Sequence, residues 1–278
     1  MLELFSPAKI NLFLKILGKR LDGYHELSSL FQTVDLGDRL FFQLHDHDLL
    51  TCNDPSIPTD ESNLVLKATR LFRLKTGIQQ GVKIYLEKNI PMQAGLGGGS
   101  GNAATALWAF NQLTGNRIST HQLQNWSAEI GSDIPFFFSQ GTAYCTGRGE
   151  RVHPLAMRDL NSQCWIVKPS IGLSTPEVYQ KLKAQPLQDS DANTYKIDLE
   201  LALKGSFNYL NALEEPAFAI RPELKMVKEL LQNAGFSPVL MSGSGSAFFC
   251  WGEGKLPDSL KPLSYPVKFL NRSLSDWY

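Results

Sequence analysis

Pro91-Met92-Gln93-Ala94-Gly95-Leu96-Gly97-Gly98-Gly99-Ser100-Gly101 joins a strand-like run carrying Val82, Ile84 and Leu86 to a helical run over residues 102–113 that is rich in alanine and leucine. Dense glycine lets the backbone take positive φ and lets phosphate oxygens reach main-chain N–H groups with no Cβ in the way. The helix that follows aims its unpaired N–H groups and the positive end of its dipole at the same point. No Asp or Glu occurs between Glu87 and Glu129, so no acidic side chain of this stretch repels an anion. Ser100 adds a hydroxyl for a phosphate or a magnesium ion. A linker or a set of packing glycines is the plain alternative, but the strand–loop–helix setting favours a phosphate cradle.

Two common phosphate motifs do not fit it. A Walker A loop ends in Gly-Lys-Ser/Thr, and no lysine lies between Lys88 and Arg117. A dinucleotide fingerprint is available through Gly99, Gly101 and Ala104, but the acidic residue it wants about 20 positions on is missing. The cation must come from elsewhere.

Outward from the loop, the N-terminal side reads as strands. Ile10, Leu12, Leu14 and Ile16 alternate with their neighbours, and residues 30–36 and 39–44 repeat the pattern around an expected turn at Gly37-Asp38. Asp60-Glu61-Ser62 is expected to cap a helix that presents Leu64, Ala68, Leu71 and Phe72 and stops at Gly77. Ser119 with Gln122 reads as a capping box opening a helix to about Ile130. The pattern weakens around residues 154–161, which divides the chain into 1–155 and 156–278. Beyond it come a strand at 164–168, helix starts at Thr175-Pro176 and Arg221-Pro222, and a polar, loop-like stretch at 185–196. A second glycine loop, Ser242-Gly243-Ser244-Gly245-Ser246, leads into the apolar run 247–251. Strands and helices without regular βαβ alternation give an α+β fold.

Composition narrows the function. The chain has 278 residues, 43% of them hydrophobic, with Lys plus Arg balancing Asp plus Glu at 27 each. That balance argues against a nucleic-acid or membrane-surface partner. No apolar run approaches the roughly 18–20 residues of a membrane span, and the N-terminus is unlike a signal peptide. Cys52, Cys145, Cys164 and Cys250 are scattered, as reduced thiols of a cytoplasmic enzyme would be.

Phosphoryl transfer needs bound phosphates, neutralised charge and a base beside the acceptor hydroxyl. Asp133, in Gly131-Ser132-Asp133-Ile134-Pro135, is a candidate base, or else a turn residue. Lys9, entering an apolar strand, is a snorkelling surface residue or a buried cation that needs a carboxylate. Asp22-Gly23-Tyr24-His25 is a turn that sets an aromatic ring beside an imidazole. His45-Asp46-His47-Asp48 tempts a metal assignment but lacks a third ligand at helical spacing, so no metal site is assigned. The 242–246 loop is a second anion cradle if it faces the first, or a hairpin turn.

Three separated segments together resemble the GHMP kinases (galactokinase, homoserine kinase, mevalonate kinase, phosphomevalonate kinase): Pro7-Ala8-Lys9-Ile10-Asn11-Leu12, the 91–101 loop and Ser242-Gly243-Ser244-Gly245-Ser246. Ser6-Pro7-Ala8-Lys9, Asp22-Gly23-Tyr24-His25 and Gly131-Ser132-Asp133-Ile134-Pro135 look like the branch acting on a cytidine diphosphate-linked methylerythritol. The resemblance runs from about Ser6 to the end and is thin across residues 185–204. It implies a two-lobe fold, with an N-terminal lobe like ribosomal protein S5 domain 2 and a C-terminal ferredoxin-like lobe. It implies ATP-dependent, Mg2+-assisted phosphorylation of the acceptor's 2-hydroxyl, in the non-mevalonate route to isoprenoids, by a monomer or weak homodimer. It carries the base onto Asp133 and its cationic partner onto Lys9. Tyr24, His25, Asn11, Thr175 and Tyr179 then meet the acceptor, with Tyr24 and Tyr179 on opposite faces of the cytosine. Asn63 and Lys88 approach the adenine. Gln93 departs from a smaller residue and Gly101 from a second serine. A homoserine or mevalonate kinase has no use for the Tyr24-His25 pair, and a non-catalytic nucleotide sensor has none for Lys9 with Asp133.

Overall fold

The computed structural model of the chain describes residues 1–156, 164–187, 191–273 and 275–278, without the side chains of 191–193. The division read near 155/156 abuts residues 157–163, which lie outside those described, as do residues 188–190 of the stretch read as a loop.

The first sheet is built on a long antiparallel pair, β1 (Leu2–Lys19) and β2 (His25–His45). Then follow β3 (Leu49–Cys52), helix α1 (Leu64–Thr76), β4 (Gly81–Glu87), helices α2 (Gly98–Leu113) and α3 (Thr120–Ser127), and strands β5 (Thr142–Gly147) and β6 (Arg151–Pro154). The strand order is β3-β4-β2-β5-β6, with β1 paired to β2. Packed against it, α1 and α2 bury Ala68, Phe72, Ala106 and Phe110 with Phe42, Ile84 and Phe137.

Local differences from the sequence reading have physical reasons. Gly37 and Asp38 do not turn the chain; they lie within β2, opposite Pro7 and Ser6, next to a register shift. The glycine is needed because a Cβ there would stand 2.2 Å from the Phe5 ring. The cap of α1 is Asn63, whose side chain accepts the Val65 N–H, while Asp60 is spent on Ser62. Helix α2 starts at Gly98, inside the glycine loop, and α3 ends at Ser127 with Ser119 accepting the Gln122 N–H.

The second sheet is antiparallel, in the order β10-β7-β9-β8, from β7 (Cys164–Val167), β8 (Val239–Met241), β9 (Phe248–Trp251) and β10 (Ser264–Val267). Between β7 and β8 run α4 (Thr175–Lys181), α5 (Asp191–Lys204), α6 (Glu214–Ile220) and α7 (Pro222–Asn233). The 185–196 stretch is therefore not all loop, since α5 begins within it. Its polar start hides a helix that buries Asp198 and Ala202 further on. Ile10, Leu12 and Phe13 of β1 share one core with Ile166, Phe249 and Trp251, so apolar packing runs between the two sheets. The last residues return to the first sheet, where Trp277 stacks on Trp108 of α2 at 5.5 Å. All four cysteines are free thiols. No helix among the described residues is long and apolar enough to cross a membrane.

Candidate active site

The glycine loop lines a cavity of about 1040 Å³ to which residues of both halves of the chain contribute. That is the upper end of the roughly 300–1,000 Å³ usual for a ligand site. Gly95 and Gly97 sit at φ 72° and 68°, and the chain then enters α2, whose first residues, Gly98, Gly99 and Ser100, line the cavity with N–H groups that have no partner within the helix. The 242–246 loop is the hairpin turn its sequence allowed, and it also faces the first loop. It turns β8 into β9, and it is bonded to the first loop. Ser242 Oγ donates to the Gly95 carbonyl at 3.0 Å, and the Ser246 and Ala247 N–H groups donate to Gln93 and Ala94, each at 3.1 Å. A Cβ on Gly95 would stand 2.0 Å from the Ser242 carbonyl oxygen.

Lys9 is buried, 3% exposed, and its ammonium lies 3.4 Å from Asp133 Oδ2. Asn11 Oδ1 accepts from it at 2.8 Å, and the Phe31 ring lies 4.6 Å away. The Lys9 N–H is held by the Leu96 carbonyl at 2.9 Å. Gly97 is pressed against the lysine stem, where a Cβ would come within 2.9 Å of its Cγ, and a Cβ on Gly243 would stand 3.5 Å from its Nζ. Both glycine loops thus close on one cation. Of the two sequence readings of Lys9, burial with a carboxylate is the observed one. Asp133 stands in the turn before the 3-10 helix Pro135–Phe138, with a third of its side chain open to the cavity.

Tyr24, His25, Thr175 and Tyr179 line the other end of the cavity. The His25 and Tyr179 rings meet each other at 5.2 Å, and the Tyr24 ring is instead covered by the Arg148 guanidinium at 4.7 Å. Burial, with a smaller contribution from Lys19, pushes the His25 imidazole below its ordinary value. Desolvation raises Tyr179, so its hydroxyl stays protonated. Thr175 Oγ1 bonds Ser244 Oγ at 2.7 Å, tying α4 to the second glycine loop.

Other candidates are more committed than their sequence positions suggested. Asn11 is fully buried, and its amide nitrogen donates to Ser29 Oγ at 2.9 Å, so the side chain is spent on Lys9 and the strand wall. Asn63 caps α1 while lining the cavity. Lys88 pairs at 3.0 Å with the buried Asp38, which also accepts the Asn89 and Ile90 N–H groups at 2.7 Å and Asn102 Nδ2 at 2.9 Å. Burial pulls the Lys88 ammonium down and Asp38 opposes it. Sequence reasoning missed Asp38, hidden in a Gly-Asp pair that reads as a turn. It also missed Arg148, although an arginine flanked by Gly147 and Gly149 near the site was a usable signal.

The family model described as GHMP kinases N terminal domain matches residues 63–141, and that described as GHMP kinases C terminal matches residues 192–260. The chain is 57% identical to 4-diphosphocytidyl-2-C-methyl-D-erythritol kinase of Protochlamydia amoebophila, over the whole of this chain and 93% of that protein. It is 45% identical to the chloroplastic kinase of the same name from Mentha piperita, over all of this chain and 72% of that one. A crystal structure of 4-(cytidine 5'-diphospho)-2C-methyl-D-erythritol kinase superposes with a TM-score of 0.76 at 35% identity, covering 98% of this chain and 100% of that one. Homoserine kinase of Cytophaga hutchinsonii superposes at 0.72 with 21% identity over 98% and 95%, a likeness of fold alone.

Proposed function

The chain belongs to the GHMP kinase family, and we propose that it transfers the terminal phosphoryl group of ATP to the 2-hydroxyl of 4-diphosphocytidyl-2-C-methyl-D-erythritol, a step of isoprenoid biosynthesis. One observation carries the reading: the Lys9–Asp133 pair stands in one cavity with the glycine cradle and the Tyr24, His25 and Tyr179 rings. Residues 91–101 hold the phosphates through backbone N–H groups and the α2 N-terminus, with Asn63 and Lys88 toward the adenine. ATP supplies the phosphoryl group, and a magnesium ion screens its charge. The Ser100 hydroxyl, which lines the cavity beside the cradle, would help orient such an ion on the phosphates.

Asp133 accepts the proton of the acceptor hydroxyl as the new O–P bond forms and the bond from the γ-phosphorus to the bridging oxygen breaks, releasing ADP. Lys9, fixed by Asn11, offsets the negative charge on the attacking oxygen and keeps the carboxylate oriented. Tyr24 and Tyr179 present ring faces to the cytosine, His25 its hydrogen-bonding edge, and Thr175 steadies the wall. The lobes divide at 155/156, giving an N-terminal lobe of 1–155 and a C-terminal lobe of 156–278. The enzyme works in the cytoplasm on a small molecule, without nucleic acid or membrane, as a monomer or weak homodimer.

ADP release coupled to a dehydrogenase, measured with the cytidine-linked acceptor, homoserine and mevalonate in parallel, tests the reading. Turnover is expected with the first alone. Turnover with homoserine or mevalonate in its place, or with none of the three, rejects it.

A further inference from the structure

Glu26 follows His25 in β2 and has no part in the chemistry above, yet its carboxylate is buried, 3% exposed, behind the acceptor end of the cavity. A buried carboxylate is costly unless it is paired and bonded. Here separate chain segments share its oxygens. Oε1 accepts the Gly147 N–H at 3.0 Å and the Tyr195 hydroxyl of α5 at 2.5 Å. Oε2 pairs with Arg20 Nη1. Desolvation keeps the Tyr195 hydroxyl protonated, so it remains a donor.

Arg20 and Gly147 each lead to a residue of the acceptor pocket. Arg20 grips Asp22 through Nε and Nη2 at 2.9 to 3.2 Å, and Asp22 Oδ1 accepts the Tyr24 N–H at 3.1 Å. The Arg20 N–H in turn donates to the Tyr24 carbonyl at 2.8 Å, so the tip of the β1–β2 hairpin is bonded at both ends of Tyr24. On the other side, Gly147 precedes Arg148, which covers the Tyr24 ring at 4.7 Å. Gly149 follows, so close to Asp133 that a Cβ there would come within 3.2 Å of Oδ1. Glu26 therefore joins the turn that carries Tyr24 to the turn that carries Arg148 and backs the catalytic carboxylate.

We infer that Glu26 is a positioning residue for the acceptor. Its carboxylate locks residues 20–24 to residues 147–149 and sets Tyr24 and Arg148 in register around the incoming base. Tyr195 brings the second lobe onto the same group, so acceptor recognition is held from both lobes. This rests on the acceptor reading proposed above.

Glu26→Gln keeps the shape but removes the charge and sets an N–H group against either Arg20 or the Gly147 N–H. The acceptor KM should rise roughly tenfold while kcat and the KM for ATP stay within about twofold. In the ligand-free variant, hydrogen exchange at the Gly147 and Tyr24 amides should quicken. Arg20→Met should raise the acceptor KM in the same direction, and the double variant should be no worse than the poorer single one. An unchanged acceptor KM overturns the inference. So does a parallel loss of kcat, ATP affinity and melting temperature, which marks a merely structural role. If the wild type ignores the cytidine-linked acceptor while exchange still quickens in Glu26→Gln, the acceptor reading is at fault and the clamp stands. Unchanged exchange removes the clamp whatever the substrate.

Discussion

Lys9 is a cation inside an apolar wall, and its tolerance there depends on what replaced water around it. The Asn11 amide oxygen, the Phe31 ring face and the Asp133 carboxylate do so; all three border the cavity, and of them only Asp133 is appreciably exposed. The pair can therefore act on a bound hydroxyl without exposing the lysine. Asp133→Asn keeps the shape and removes the proton acceptor. It should lower kcat roughly 10²–10⁴-fold while ATP binding, read by calorimetry, changes by about twofold or less. Near-normal kcat would remove Asp133 from the base role. His25 makes a second residue-scale case. Its imidazole is held below the ordinary value of about 6.5, mainly by burial. The neutral ring is thus favoured in the folded protein, and its contribution to stability is complete above the unfolded value. As pH falls, the unfolded chain takes up the proton first, and the contribution is lost down through the folded value. The acceptor KM should be flat through neutrality and climb only below pH 6.5, while the KM for ATP does not follow it. His25→Gln should flatten that acid limb, and a limb that survives in the variant belongs to another group.

At the scale of elements, the site is two turns held face to face. Gly95 at φ 72° lets the first loop press its backbone onto the Ser242 carbonyl, and the bonds to Ser242, Ser246 and Ala247 then fix their spacing. Gly95→Ala forces both a left-handed alanine and a backbone overlap, and should cost about 3 kcal/mol in urea unfolding at unchanged m-value. Gly99→Ala, whose Cβ would meet only the Leu64 Cδ1 at 3.6 Å, is expected to fold like the wild type. Equal midpoints for the two variants would refute the docking argument. The loop and its helix were legible in the sequence because glycine density leaves a local mark, whereas Lys9 and Asp133 each kept two readings until the family resemblance joined them, since their contact is long-range. The Gly37-Asp38 pair misled because turn propensity is local. What straightens it is long-range: β1 alongside, Phe5 against the glycine, and the Asn89 and Ile90 amides on the carboxylate. The start of α5 was hidden for a similar reason, since its polar sequence is anchored by distant partners, Asp198 on Lys15 and the buried Ser28, and Tyr195 on the buried Glu26. Arg148 was missed because its contact with Tyr24 joins two turns far apart in the chain, and the glycines that flank it mark a turn without saying what the side chain covers.

Across the whole molecule, the sheets are coupled through a shared core and a returning tail. Ile10, Leu12 and Phe13 pack with Ile166, Phe249 and Trp251, so neither sheet keeps its apolar face covered without the other. The tail adds a second tie. Trp277, 7% exposed, stacks on Trp108, meets Phe138 edge-on at 5.6 Å and donates to Thr105 Oγ1 at 3.2 Å. Arg272, 5.1 Å from the Trp277 ring, donates to the Phe138 carbonyl at 2.6 Å. Trp108 and Thr105 belong to α2, the helix whose first turn frames the phosphate cradle, so residues after β10 brace the back of the nucleotide end. Trp277→Ala empties a site that close-packed neighbours refill only in part, and should destabilise the protein by about 3–5 kcal/mol. Because the core is shared, the loss should move one transition, with far-UV circular dichroism and tryptophan fluorescence still coincident. Trp108 and Trp126 report on the first sheet and Trp165 and Trp251 on the second, so the fluorescence sees both. Separation of the two probes in the variant would mean that the lobes unfold independently and that the shared core contributes little to their coupling.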